Sequence, residues 1–311
     1  MRAVILTVIV PTHNPHGARL ARTLNGLRTQ TLPLEQWELI MVDNGSTPAV
    51  TLGLDAPANA RIVAETKLGL THARRRGFTE ARGEYIVLAD DDNVLSPDYL
   101  AQVLELFAAH PRVGALGGRS LPEFETTPPP WMREFDGLIA CRDLGAAPKI
   151  ISGLRDASTG RNEYPACAPI GAGLALRRDA LAAWLAADIG RLTDRRGGEL
   201  TSGGDNDIIL TLMQHGWEVA YFPALSLTHL IPTGRITREY LARLNRGIAK
   251  SWVQVLQKHD ANPWPPIAPR TVPLRQAKAY FTNRAWSGPA AFIRWQGACG
   301  HFEGLASLHR S

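Results

Sequence analysis

The 311-residue sequence predicts an α/β fold: a doubly wound, mostly parallel sheet flanked by helices, with a helical, basic C-terminal extension. Three observations carry this expectation. Short apolar or β-branched runs alternate with helical apolar spacing through the first 120 residues, the order a parallel sheet requires. A composition of 45% hydrophobic and 20% charged residues is that of a folded chain, of a length that suits one large domain with an appendage. The charge is uneven: residues 233–311 hold 12 Lys and Arg against 3 Asp and Glu, a balance of +9, whereas residues 1–232 come to −4.

Val4–Val10, closed by Pro11, reads as the first core strand. It follows a single Arg and precedes no small-residue cleavage site, so a leader peptide is not expected. Gly17–Gln30 carries Leu20, Leu24 and Leu27 at helical spacing. Trp37–Val42 is the second strand, stopped by the turn-forming Asp43-Asn44-Gly45-Ser46. Arg61–Ala64 reads as a strand, Leu70–Ala81 as a helix and Tyr85–Ala89 as a third apolar strand. Ser96-Pro97 is expected to cap a helix reaching about Ala109, before a strand at Val113–Leu116. Residues 121–170, including Pro128-Pro129-Pro130-Trp131, have no clear period and read as loops and short strands crossing the site. Beyond them come a helix at Arg178–Ala187, a Gly-rich loop at Arg195–Gly204, a helix at Asp205–His215 and strands at Glu218–Phe222 and Leu225–Leu230. Thr237–His259 reads as a long helix and Asn262–Pro273, with five prolines, as a linker. Two more helices follow at Leu274–Asn283 and Gly288–Leu308. The last carries a stripe of Phe292, Trp295, Cys299, Phe302 and Leu305.

No run approaches the roughly 18 apolar residues of a membrane span. Cys141, Cys167 and Cys299 are scattered, with neither a disulfide frame nor a zinc spacing, which fits a reducing cytoplasm. The basic tail points to an anionic partner, lipid head groups or nucleic acid, or else to a solvated helical face.

Ligands of doubly wound sheets bind beyond the carboxyl ends of the strands. Three polar clusters stand there: Thr12–Asn14, Asp43–Ser46 and Asp90–Asn93. Adjacent carboxylates at Asp90, Asp91 and Asp92 repel one another, and Mg²⁺ or Mn²⁺ would relieve that cost. Strand alternation would put Asp90 and Asp92 on one face and Asp91 on the other; a solvated acidic turn is the alternative, and the buried-type strand before it together with the other clusters favours metal. Asp43 suits a turn or an acceptor for a base or ribose hydrogen, and Arg74 a solvated helix face or a phosphate or base partner. Asp205 suits a helix cap or a general base. His229 is a core histidine or a metal ligand.

Together these segments resemble the family 2 glycosyltransferases and their GT-A fold over about residues 4–232. The resemblance rests on Val8-Ile9-Val10-Pro11-Thr12-His13-Asn14, Val42-Asp43-Asn44-Gly45-Ser46, Gly69-Leu70-Thr71-His72-Ala73-Arg74 and Leu88-Ala89-Asp90-Asp91-Asp92. Gly171–Arg178, Gly203–Leu212 and Gly216–His229 extend it. It implies an inverting, metal-dependent transfer of a sugar from a nucleoside-diphosphate sugar, with UDP expected, to a hydroxyl on a glycan or lipid-linked glycan in polysaccharide biosynthesis. Pro11, Thr12, His13, Asn14, Asp43, Arg74 and Asp91 would then hold the donor nucleotide. Asp92 and His229, with Asp90 as a further candidate, would hold Mn²⁺ or Mg²⁺, and Asp205 would be the base. Gly171, Ala172, Gly173, Gly204 and Trp131 would lie on the acceptor side. Residues 1–232 would be the catalytic domain, 1–120 its nucleotide half and 121–232 its acceptor half, with 233–311 as the extension.

Two positions depart from the family pattern: His13 replaces an aromatic residue, and Gly204 replaces the Glu before the base, leaving Asp207 as a fallback. The resemblance and the basic tail together imply a cytoplasmic protein, docking through 233–311 on the inner face of an anionic membrane or packing that tail on its own catalytic domain or a partner subunit. No nucleic acid is expected, and an oligomer is allowed. A sugar nucleotidyltransferase would need a Gly-rich, basic turn after the first strand, where Pro11-Thr12-His13-Asn14 stands instead. A dehydrogenase would need G-x-G-x-x-G there. A non-catalytic nucleotide-sugar-binding or scaffold protein on the same fold would not need Asp91, Asp92 and Asp205.

Overall fold

The computed structural model describes residues 4–156, 158–187 and 202–310; most of the Gly-rich loop expected at 195–204 lies outside them. In chain order the elements are β1 (Leu6–Thr12), α1 (Gly17–Arg28), β2 (Trp37–Asp43), β3 (Ala60–Ala64), α2 (Leu70–Glu80), β4 (Tyr85–Leu88), β5 (Asn93–Leu95), α3 (Tyr99–Ala109), β6 (Val113–Phe124), β7 (Lys149–Ile151), β8 (Ala175–Arg177), α4 (Arg178–Ala186), α5 (Gly204–Gln214), β9 (Glu218–Ile231), α6 (Arg238–Lys258), α7 (Val272–Thr282) and α8 (Pro289–Ser307). One sheet runs β3-β2-β1-β4-β8-β6-β9-β5, with β7 also pairing on β9. β1 is parallel to β2 and β4, β2 to β3, and β6 to β9. β8 is antiparallel between β4 and β6, and β5 and β7 are antiparallel to β9.

Successive strand residues face opposite sides, and helices cover both. Val8, Val10, Leu39, Met41 and Val87 pack with Leu24 and Leu27 of α1 and Val103 and Phe107 of α3. Ile9, Ile40, Val42, Ile86 and Leu88 face the other way, onto Phe78 of α2, Trp184 of α4 and Ile208 and Ile209 of α5. Burial on both faces is why these strands read as unbroken apolar runs. Each fully buried side chain of this kind contributes about 1.5–3 kcal/mol.

Several elements differ from the sequence expectation for local reasons. The two strands expected between Glu218 and Leu230 are one strand, β9, bulged at its middle. Its register with β6 moves from Gly117↔Tyr221 to Arg119↔Ser226, and β6 itself continues to Phe124. Gly118 lies inside the bulge, where a Cβ would come 1.9 Å from the Leu225 carbonyl oxygen. α3 opens at Tyr99, not at Pro97, because the Ser96 and Pro97 carbonyls accept from Tyr99 N (3.0 Å) and Thr31 N (2.8 Å) in a turn tied to the neighbouring segment. Gly203, not Asp205, precedes α5. The proline-rich stretch is a docked connection: Ile267 is buried, Trp264 stands edge-on to His301 at 4.6 Å, and Pro273 sits in the first turn of α7.

α8 packs along α6. Gly297, Gly300 and Gly304 form the contact ridge, and a Cβ at position 300 would lie 2.0 Å from the Arg246 carbonyl oxygen. Cys299 and Leu305 are buried, Phe292 and Phe302 pack half-buried against two apolar clusters, and Trp295 meets Tyr280 and Gln276 of α7, so the α8 stripe is used within the chain. No helix among the described residues is long and apolar enough to cross a membrane.

α5 is held by a buried charge network. Asp207 receives Lys258 Nζ and His259 Nε2, each at 2.7 Å, and Trp184 Nε1 at 2.8 Å; His259 Nδ1 lies 2.8 Å from Gln214. Burial pushes the Asp207 carboxyl upward, but these donors outweigh it and hold it below the usual aspartate range. Asp207 is therefore an anchor between α4, α5 and the end of α6, turned away from the site, and not a spare base. Asp207→Asn should lower stability by about 3 kcal/mol in urea denaturation at pH 7. Because the folded carboxyl is depressed, the wild-type advantage is complete above the unfolded value near pH 4. It fades as the pH falls through the folded value, so the two proteins should converge in acid.

Candidate active site

The register Thr12↔Asp43 and Ile9↔Leu88 ends β1, β2 and β4 at one edge of the sheet. A cavity of about 500 Å³ opens there. Of the residues singled out in the sequence, Pro11, Thr12, His13, Arg74, Asp90, Asp91, Asp92, Gly171, Ala172, Asp205 and His229 line it. Asn14, Asp43, Gly173, Gly204 and Trp131 are not among its lining residues.

The acidic segment is a turn. β4 stops at Leu88 and Asn93 N donates to the Asp90 carbonyl at 3.0 Å, so strand alternation does not apply, and all three aspartates line one cavity. Thr12 Oγ1 donates to Asp91 Oδ2 at 2.5 Å. Burial pushes the Asp91 carboxyl up to about 6; the Thr12 bond opposes this, and the like charges of Asp92 and Asp90 add to it. Asp92 is buried, and its Oδ1 accepts from Asn93 Nδ2 at 3.1 Å. Pairing of β5 with β9 sets Asn93 opposite His229, and Leu230 N donates to the Asp92 carbonyl at 2.9 Å. His229 Nε2 therefore stands 3.3 Å from Asp92 Oδ1, while Arg235, just beyond β9, reaches Asp92 Oδ2 at 2.8 Å.

These groups fit a hard divalent cation in part. Asp92 offers a carboxylate, His229 an imidazole, and the buried His229 Nδ1 has no partner among the described residues. Among the described residues no group of three or more His, Cys, Asp and Glu forms a cage by itself. A short protein ligand set is what Mg²⁺-type ions accept, since phosphate oxygens and water complete their shell.

Asp205 sits in the first turn of α5, its Oδ2 accepting from Gly171 N at 2.9 Å. Arg74 lies against the same spot: a Cβ on Gly171 would come 2.7 Å from an Arg74 terminal nitrogen and 3.3 Å from Asp205 Oδ2. Arg74 is buried, and its Nε has no partner among the described residues. The glycine at 171 leaves the room in which a cation and a carboxylate share that corner.

The remaining expected residues shape the loops. Burial pushes the Asp43 carboxyl upward, but its oxygens accept from Ser46 N (2.9 Å) and Val50 N (3.1 Å), and these bonds together outweigh burial and hold it below the usual aspartate range. Asn44 borders the cavity, tying Glu65 and Lys67 carbonyls (3.0 and 2.9 Å) and Gly69 N (2.8 Å). Asn14, at φ 50°, accepts from Thr47 N at 2.8 Å. His13 Nδ1 faces the Asn44 carbonyl at 2.8 Å and Nε2 faces Asn14 Nδ2 at 3.1 Å, partners that fit the tautomer protonated on Nδ1. Gly173, at φ 72°, accepts from the buried Tyr99 hydroxyl at 2.5 Å. Gly204 opens α5. Trp131 packs beside Phe135 in the 3-10 segment Pro130–Ile139, whose last residues, with Ala140 after them, do line the cavity.

Sequence reasoning missed two features. Arg235 carries no local signal, because only the end of β9 brings it to Asp92. Tyr240, Leu244 and Ile248 of α6 form an apolar wall with Leu138, Ile139 and Ile170. Their four-residue spacing was visible, but nothing local aimed it at the site.

The chain is 32% identical over 111 residues to validoxylamine A glucosyltransferase of Streptomyces hygroscopicus subsp. jinggangensis, covering 34% of this chain and 25% of that one. It is 28% identical over 146 residues to the O-antigen biosynthesis protein RfbC of Myxococcus xanthus, covering 42% of this chain and 11% of that one. Such matches span at most 36% of the curated relatives' own lengths. Its fold is similar to that of the mannosyltransferase PcManGT of Pyrobaculum calidifontis, solved with GDP-Man and Mn²⁺. The TM-score is 0.56 at 19% identity, over 99% of this chain and 87% of that one. The architecture is thus of GT-A type. The sequence model of glycosyl transferase family 2 matches residues 7–183, more than half of the chain, and the protein belongs to that family.

Proposed function

We propose that this protein is an inverting glycosyltransferase that moves a sugar from a nucleoside-diphosphate sugar to a hydroxyl of a glycan or lipid-linked glycan, with Asp205 as general base. The observation that carries the reading is the placement of Asp205, held by Gly171 N, in one cavity with Thr12, Asp91, Asp92 and His229. Residues 1–120 would hold the donor and 121–232 the acceptor, with α6 of the extension adding an apolar wall suited to an acceptor with an apolar face.

The acceptor hydroxyl gives its proton to Asp205 while its oxygen bonds to the anomeric carbon. The bond from that carbon to the diphosphate breaks on the opposite side, so the configuration inverts and the electron pair leaves with the nucleoside diphosphate. Thr12 and Asp91 orient the nucleoside end, and Arg74 and Arg235 face the developing negative charge. A bound Mn²⁺ or Mg²⁺, held by Asp92 and His229, would supply further stabilisation of the leaving diphosphate; the Mn²⁺ and GDP-Man of the PcManGT complex support that expectation. A second reading is favoured by the Asp92–Arg235 contact: Arg235 alone neutralises Asp92 and the diphosphate, without metal.

Three measurements test the proposal. Asp205→Asn should cut kcat by about 10²–10⁴-fold while donor binding persists, and unchanged turnover would sink the base assignment. UDP, GDP, CDP or dTDP at about 100 times its Kd should stabilise the protein by about 2.7 kcal/mol in thermal unfolding with Mn²⁺, and far less with a chelator or in Asp92→Ala. Equal stabilisation with and without metal would leave the Arg235 reading standing. Gly171→Ala should push Arg74 and Asp205 apart and cost roughly 10²-fold in kcat/KM, with thermal stability of the free protein little changed.

A further inference from the structure

α7 turns one side to the chain and leaves the other uncovered by the described residues. Ala279 is buried, Trp295 Nε1 donates to the Gln276 carbonyl at 3.0 Å, Gln276 reaches Glu303 at 3.0 Å, and the Tyr280 ring meets Trp295 at 5.1 Å. These contacts fasten the inner side of α7 to α8. On the outer side, at helical spacing, stand Leu274 and Phe281, 76% and 66% exposed, and Trp286 just beyond the helix is 59% exposed. Phe281 and Trp286 form a small aromatic group with Tyr280, at centroid distances of 5.6–5.9 Å.

The same surface is basic. Between Asp260 and Glu303 the sequence has no acid and five bases, Arg270, Arg275, Lys278, Arg284 and Arg294. Arg294 pairs with Glu134, whereas among the described residues Arg270, Arg275, Lys278 and Arg284 are exposed and in no ion pair. Large apolar side chains exposed side by side call for a partner, and scattered single ones do not. A helix with Leu, Phe and a flanking Trp among Lys and Arg has the chemistry of one that lies in a lipid interface.

We propose that α7 and Trp286 form a docking face for an anionic lipid surface, into which Leu274, Phe281 and Trp286 insert while Arg275, Lys278 and Arg284 meet the head groups. This face is separate from the α8 stripe, which packs against the rest of the chain, and the proposal rests on none of the transfer chemistry above. Charge favours lipid over a second copy, because a symmetric dimer through this face would bring each basic cluster against its own image. Leu274, the most exposed of the three apolar groups, favours lipid over nucleic acid, which has bases for Phe281 and Trp286 to stack on but nothing to bury an aliphatic chain.

The test is flotation of the full chain with phosphatidylcholine vesicles, with and without phosphatidylglycerol. The protein should float with the anionic vesicles only, and less so as salt rises. Each base near an anionic surface contributes about five-fold, so R275Q/K278Q/R284Q should lose roughly 10²-fold in partitioning. L274S/F281S/W286S should also stay at the bottom of the gradient. Every substituted side chain is exposed, so thermal unfolding should remain near wild type; for either variant, loss of flotation with an unchanged melt supports docking. Failure of the wild type to float, or flotation of both variants like wild type, overturns it. A dimer in light scattering that L274S/F281S/W286S converts to monomer reassigns the face to self-association and overturns it, as does binding of single-stranded oligonucleotide in place of vesicles.

Discussion

β1 pairs in parallel with β2 on one side and β4 on the other, so three chain segments leave the sheet at the same edge and in the same direction. Backbone polar groups there have no further ladder partner, and the loops that follow must satisfy them with side chains. Thr12, Asp43, Asn44 and Asp91 are what the chain places at that edge. Some are spent on the loops themselves, as Asp43 is on Ser46 and Val50, and the others are left facing the cavity. The second half of the sheet completes the arrangement from the other side: β9 runs antiparallel to the short β5 and carries His229, and just beyond it Arg235, to the buried Asp92.

The cost of that concentration of charge is met by two devices. Cations lie near carboxylates, Arg235 on Asp92 and Arg74 beside Asp205. Anchors sit behind the site, the largest being Asp207 with Lys258, His259 and Trp184, which fixes the helix that presents Asp205. α6 joins both tasks: its far end supplies Lys258 to that anchor, and its near end supplies Tyr240, Leu244 and Ile248 to the cavity.

Much of this was legible in the residues. The apolar runs at Val4–Val10, Trp37–Val42 and Tyr85–Ala89 are unbroken because both faces are buried, and the polar clusters that end them could be placed at one edge from topology alone. What stayed hidden depends on tertiary pairing. β5 is only three residues long, and nothing in Asn93-Val94-Leu95 announces a strand; without it neither His229 nor Arg235 is tied to Asp92. Strand alternation, which puts Asp90 and Asp92 on one face and Asp91 on the other, fails because the segment is a turn. The glycine ridge of α8 was masked by the louder Phe, Trp and Leu pattern beside it, and the helix that exposes apolar groups is α7 instead.

The two ends of the cavity are built from different material. Thr12, Asp91 and Asp92 stand where strands finish, and a change there disturbs bonds the sheet edge depends on. Tyr240 and Ile248 project, half-buried, from a helix whose backbone bonds are internal, so their side chains can be exchanged without altering any ladder, while Leu244 between them belongs to the buried core. A lineage carrying this scaffold is thus freer to diversify at the α6 wall than at the strand termini, and divergence between its members should accumulate on that wall first.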